Sequence, residues 1–185
     1  MVAAKSKTKT AGAVKGGEGT YQYRLSKVKK VPAGTGYSTA HGGVVEGARM
    51  LVGYIHKPRG TGSRMHQHDN EQFNYVVQGT LKGSVNGKRV VAPAGTLIYI
   101  PANAPHTLVS TPEEDVIFIA IKDLSQGIIG RAVDGTMAGP VYLKGYEPKQ
   151  SPAAKRKARA RRTNRGKPMV SLRNRLSFGD RVIAR

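Results

Sequence analysis

Between Tyr21 and Leu124, apolar and polar residues alternate in short runs rich in Val, Ile and Tyr, broken by Gly, Pro and Asn. A period of two bounded by turn formers is the mark of half-buried strands. It predicts strands over Tyr21–Val31, Arg49–Lys57, Gln72–Gln78, Thr80–Val85, Arg89–Ala92, Thr96–Ile100, His106–Val109 and Val116–Lys122. Turn signals at Pro58–Gly62, Asn86-Gly87, Pro93–Gly95 and Thr111–Asp115 separate them. No stretch carries a 3.6-residue apolar period, so the expected fold class is all-β, a sandwich or barrel. Ser125–Tyr146, rich in Gly and without periodicity, reads as an extended cover over that barrel, with one short strand at Val141–Leu143.

Charge separates the chain into three parts. Of the net +20 on 185 residues, residues 1–30 carry +7, residues 31–145 carry +2 and residues 146–185 carry +11. The expected organisation is a disordered basic arm over 1–20, a near-neutral barrel with its cover over 21–146, and a basic, largely disordered tail over 147–185. Within the tail, Lys155, Arg156, Lys157, Arg159, Arg161 and Arg162 form a cluster that can neutralise phosphates without reading sequence. Non-specific binding to DNA, RNA or another polyanion is one reading of the cluster; a solvated tail without a partner is the other. No aromatic residues interleave with the basic run, which argues against base stacking.

Other classes fall away on composition. No apolar run approaches the roughly 20 residues a membrane helix needs, and the N-terminal stretch has no apolar block of the secretory type. The expectation is a cytoplasmic protein without a membrane partner. The absence of cysteine excludes disulfides, thiolate metal sites and a cysteine nucleophile.

All five histidines, His41, His56, His66, His68 and His106, fall in the β region. His66 and His68 stand two apart on extended chain, so both leave the same face. His106 lies on a later strand behind Pro101 and Pro105. Imidazoles from neighbouring strands aimed into a small barrel suit a divalent first-row metal: Fe, Mn, Ni, Cu or Zn. The framing residues extend this. Gly60, His66, His68, Gln72 and Gly79 stand at the spacing G-x5-H-x-H-x3-E-x6-G, and Gly95, Pro101, Asn103, His106 and Ser110 at G-x5-P-x-G-x2-H-x3-N. Over residues 60–110 the chain thereby resembles the cupin family. The resemblance implies a double-stranded β-helix (jelly-roll) barrel, often a homodimer, with a metal held by His66, His68, Gln72 and His106.

Three positions depart from the family pattern. Asn103 replaces a turn glycine, and Asn tolerates the left-handed conformation. Ser110 replaces a terminal Asn, a matter of packing. Gln72 stands where the family usually has a ligating Glu; Glu71 is one residue out of register and points the other way. Three imidazoles and a neutral amide leave the full +2 on a metal, which favours an anionic or enolisable oxygen ligand such as a carboxylate or keto acid.

Other pocket candidates follow from strand parity. Asn74 shares the face of Gln72 and is the nearest polar candidate for substrate. On Arg49–Lys57, the set Met50, Val52, Tyr54 and His56 alternates with Leu51, Gly53 and Ile55, and pattern alone does not say which looks inward. Turned in, Tyr54 and His56 form an acid/base pair; turned out, they are a packing tyrosine and a rim histidine. Arg64 reads either as a carboxylate binder or as a solvated loop arginine. Tyr99 and Phe118 read as barrel packing. Two functions are therefore expected: a metal-dependent cupin enzyme of dioxygenase, isomerase or lyase type acting on a small oxygen-rich anion, or a non-enzymatic ligand-binding sensor whose tails bind a polyanion.

Overall fold

The computed structural model describes residues 7–17, 19–135 and 138–149. Its strands are β1 (Val14–Lys15), β2 (Lys30–Pro32), β3 (His41–Glu46), β4 (Met50–Lys57), β5 (Thr61–Gly62), β6 (His66–Gln67), β7 (Gln72–Gln78), β8 (Thr80–Val85), β9 (Lys88–Pro93), β10 (Leu97–Ile100), β11 (His106–Ser110), β12 (Val116–Asp123), β13 (Arg131–Ala132) and β14 (Val141–Tyr142). Among the described residues the one helical element is a 3-10 turn over Leu25–Lys27.

The strands form two sheets of jelly-roll type. The first runs β1-β3-β4-β12-β7-β10, with β2 added on β3; the second runs β13-β6-β11-β5-β14, with β8 on β11 and β9 on β8. Alternation decides what lies between them. In β12 the residues Val116, Phe118, Ala120 and Lys122 are buried while those between are half-exposed. In β4 the buried set is Leu51, Gly53, Ile55 and Lys57. These meet Val76, Ile98 and Ile100 of the same sheet and Leu81, Val85, Ala92 and Leu108 of the other in one apolar core. Each fully buried Leu, Ile or Phe there contributes about 1.5–3 kcal/mol.

The strands predicted between 72 and 123 match the observed ones to within a residue or so at either end. The same holds for Arg49–Lys57 and Val141–Leu143, observed as Met50–Lys57 and Val141–Tyr142, whereas the N-terminal part of the barrel departs from expectation. Residues 21–31 are not one strand: Tyr21 is exposed, Leu25–Lys27 is a 3-10 turn, and only Lys30–Pro32 pairs. Conversely, β3 is a full central strand that its glycines disguise. A Cβ at Gly42 would strike the Tyr54 carbonyl and one at Gly43 the Leu25 carbonyl, so close backbone approach requires residues that weaken the strand signal. At Asn103 the backbone is left-handed, φ 61°, as the replacement of glycine by asparagine allows.

Part of the stretch expected to be a free arm belongs to the barrel. Val14–Lys15 pairs in parallel with Val45–Glu46. The buried Glu46 carboxylate accepts the Lys9 and Thr10 N–H groups at 2.7 and 2.6 Å, and Thr10 Oγ1 accepts Ile128 N–H at 2.9 Å. A Lys-rich, small-residue segment has no apolar block to signal docking; its anchor is one buried carboxylate on a strand the glycines conceal. The compact unit that holds the barrel ends at Glu147. Among the described residues no helix is long and apolar enough to cross a membrane.

Candidate metal and ligand site

The β6/β11 register places His66 directly opposite His106. Their ring centroids are 4.0 Å apart; His68 lies 4.8 Å from His106 and 6.2 Å from His66. All three are buried. In each, Nδ1 lies against a backbone carbonyl two residues away: Arg64 at 2.8 Å for His66, Asn70 at 2.7 Å for His68 and Ala104 at 2.9 Å for His106. A carbonyl only accepts, so Nδ1 carries the proton and Nε2 keeps its lone pair.

Burial holds the three imidazoles neutral. It pushes His66 down to about 2, with His106 and then Lys57 and His68 adding to the fall against the Arg64 carbonyl. His68 is lowered to about 4 by burial and then by Lys122, partly offset by the Asn70 carbonyl and by Gln72. His106 is lowered to about 3 by burial, against the Ala104 carbonyl, with His68, Lys122 and Lys57 contributing. His68 Nε2 is buried without a hydrogen-bond partner. Such an orphaned lone pair costs free energy unless something binds it.

The neighbouring strand completes the wall. Gln72, Asn74 and Val76 are the buried residues of β7, so Asn74 does share the inward face of Gln72, while Glu71 is exposed. Gln72 Nε2 donates to Asn74 Oδ1 at 2.6 Å, and the Gln72 side chain also interacts with His68. Three imidazole lone pairs and an amide oxygen form a donor set suited to a first-row divalent metal. Among the described residues no three His, Cys, Asp or Glu side chains stand as a ready-made metal cage. The histidine rings pack against one another, and a metal would require them to open.

Beside the cluster lies a cavity of about 40 Å³, lined among others by Lys57, His66, Gln72, Asn74, His106 and Lys122. Its described lining carries no carboxylate. Tyr37 stacks on His66 at 4.5 Å and also faces this space. Its oxygen accepts the Gly130 N–H at 2.7 Å, and burial pushes its hydroxyl up to about 12, so it stays protonated. Burial likewise lowers Lys57 and Lys122 from 10.5 to about 7.

Strand parity settles the remaining candidates. Tyr54 and His56 belong to the outward set of β4 and do not face the cavity. They line a separate outer groove with His41 and Lys30, where His56 Nε2 pairs with Asp115 at 2.8 Å. The inward face needs Leu51, Gly53 and Ile55 for the core, which forces the alternate residues outside. Arg64 is engaged elsewhere: Nη1 meets Asp134 at 3.3 Å and Nε donates to the Gly139 carbonyl at 3.3 Å, tying down the cover segment. The cluster Lys155, Arg156, Lys157, Arg159, Arg161 and Arg162 lies outside the described residues. Sequence reading missed Tyr37, Lys57 and Lys122. For the two lysines a signal existed, since each continues the buried parity of its strand.

Residues 53–122 match the family model described as Cupin domain. Among solved structures, the chain is similar to a predicted oxalate decarboxylase from Thermotoga maritima at 19% identity, covering 54% of this chain and 96% of that one with a TM-score of 0.48. It is similar to an RmlC-like cupin from Shewanella frigidimarina at 22% identity, covering 55% and 91% with a TM-score of 0.45. A third similar structure is KdgF from Halomonas sp., at 23% identity, covering 45% and 77% with a TM-score of 0.43. No curated protein matches the chain at a significant level.

Proposed function

We propose that the chain, whose residues 53–122 match the Cupin domain model, is a cupin that binds a divalent transition metal and acts on a small carboxylate or keto acid. His66, His68, Gln72 and His106 hold the metal. The observation that carries this reading is the shared tether of the three histidines: every Nδ1 is spent on a backbone carbonyl, and His68 Nε2 is buried with nothing bound to it. The backbone thus fixes the tautomer that a ligating histidine requires.

When bound, the metal supplies Lewis-acid polarisation of a ligand oxygen. The chain's own residues do the rest. The neutral donor set leaves the positive charge of the site uncompensated, which selects an anionic ligand. Ile55, Leu108 and Phe118 form the apolar side of the cavity. Tyr37, protonated and with its oxygen held by Gly130, is placed to hold a proton beside a ligand at His66. A binding protein without turnover is the second reading, favoured by the absence of a carboxylate base from the described lining.

Elemental analysis of the full chain, purified without chelator, tests the metal. The wild type is expected to retain a transition metal, and His66→Ala and His106→Ala to lose it. Variants that hold as much metal as the wild type would overturn the assignment.

A further inference from the structure

We infer that the inner cavity is built for a small doubly charged anion, gripped by Lys57 and Lys122, which line it beside the histidine cluster; this deepens, and rests on, the reading of that cavity as the ligand site. Both lysines lie in the buried register of the β4/β12 pair, where Leu51, Ile55, Phe118 and Ala120 set an apolar environment. Their relative exposures are 4% and 2%. A buried cation is normally paired with a carboxylate, because desolvation costs several kcal/mol. Among the described residues neither lysine has such a partner: the ion pairs join His56 to Asp115, Arg64 to Asp134 and Arg131 to Asp69.

The protein gives each ammonium little in return for burial. Lys57 Nζ donates to the Leu108 carbonyl at 2.7 Å and Lys122 Nζ to the Ile128 carbonyl at 3.0 Å. An ammonium has three N–H donors, so each retains capacity for a ligand. Nor does the backbone need Lys57, because the Leu108 carbonyl already accepts the Ser63 N–H at 3.1 Å. A methionine would fill the same space without the charge. The amines are therefore costly for folding and well placed for binding.

Their positions imply two acidic groups rather than one. Lys57 pairs with Val116 at the start of β12, and Lys122 lies near its end. Six residues of strand separate their backbone positions by roughly 20 Å, and both side chains line the same cavity. Lys57 acts electrostatically on His66 and His106, and Lys122 on His68 and His106. The cavity of about 40 Å³ has room for about three waters, which suits an acid of two or three carbons. A dicarboxylate of that size offers two acidic groups to the two amines that line the cavity.

Calorimetric titration of the full chain with malonate and with propionate, the singly charged acid of the same carbon count, tests this. Malonate is expected to bind and propionate to bind at least about tenfold more weakly. K57M and K122M should each weaken malonate about ten- to hundredfold, the loss of a charged hydrogen bond, while metal content stays as in the wild type. Equal affinity for the two acids, no malonate binding, or wild-type affinity in either variant overturns the inference. Should a variant fail to fold, the comparison of the two acids on chelator-treated, metal-free wild type decides, because a bound metal would itself prefer malonate. If only the metal assignment is wrong, His66→Ala leaves metal content unchanged and the lysine dependence of malonate binding persists.

Discussion

Two groups of histidines occupy this barrel, and they differ in burial, in charged neighbours and in the face of the strand they occupy. His66, His68 and His106 are buried, neutral, tethered through Nδ1 to backbone and faced by two lysines. His41 and His56 stand on the outer face of the first sheet, half-exposed and edge to face at 5.0 Å, with Asp115 on His56. Both groups arise from strand pairing, β6 on β11 inside and β3 on β4 outside. What separates them is parity. Outside, His56 Nε2 is spent on Asp115 and His41, tethered through Nδ1 to the Thr39 carbonyl at 3.2 Å, is half-exposed; inside, the same kind of tether is combined with burial. The same residue type thus faces solvent or the inner cavity according to the odd or even register of its strand.

The sharpest way to break the comparison is to delete one group and read the metal. His41→Ala and His56→Ala are expected to retain wild-type metal content under conditions in which His66→Ala loses it altogether, measured on the same preparations. Loss of metal in the outer variants would mean that the barrel holds its metal elsewhere.

The next effect comes from the support of the inner group. Asn70 is fully buried; its carbonyl fixes His68 Nδ1, and its Nδ2 donates to the Asp123, Gln126 and Gly127 carbonyls at 3.0, 3.1 and 3.2 Å. One side chain therefore fastens the cover segment to the loop that carries His68. Asn70→Ala should lower metal affinity about 10- to 100-fold, as losses of ligand-orienting partners do. Competition with a chromogenic chelator measures it. No counterpart exists outside, where His56→Ala should leave that affinity unchanged.

How much of this was readable beforehand follows from the same parity. The resemblance of residues 60–110 to the two cupin motifs made the cluster of His66, His68, Gln72 and His106 legible. Asn74 followed by counting two from Gln72. Lys57 and Lys122 were equally countable, two residues beyond Ile55 and Ala120. A lysine at a strand end ordinarily reads as a solvated charge, and nothing local marks it as buried. Tyr37 lies in a loop without periodicity, so only the tertiary fold brings it to His66. β3 escaped notice because Gly42 and Gly43 serve backbone approach rather than side-chain packing.

The lysines supply a gentler test, in solution pH. Both sit near 7 in the folded state against 10.5 for an ordinary lysine. Across that interval the unfolded chain binds protons that the native chain does not, so native stability rises as pH increases from about 7 toward 10. Below about 7 both states are protonated and this contribution no longer changes. Denaturant midpoints at pH 7, 8 and 9.5 should climb for the wild type, and K57M and K122M should each remove about half of the slope. A wild-type midpoint that is flat or falls over this range would contradict the burial of the amines.

The smallest effect belongs to the outer pair. Asp115 accepts the Arg59 N–H at 2.9 Å as well as His56, and these two contacts, the backbone one first, hold its carboxyl below the ordinary range. With a side chain 44% exposed, it gains little from either, since exposed ion pairs are worth under about 1 kcal/mol. Because the folded-state value is depressed, this stabilisation is present above the ordinary carboxylate range and disappears as pH falls through the folded value. Asp115→Asn should therefore lower the denaturant midpoint slightly at pH 7 and converge on the wild type in acid, with metal content unchanged at neutral pH. A loss of metal in that variant would tie the outer histidines to the inner site and end the distinction drawn between them.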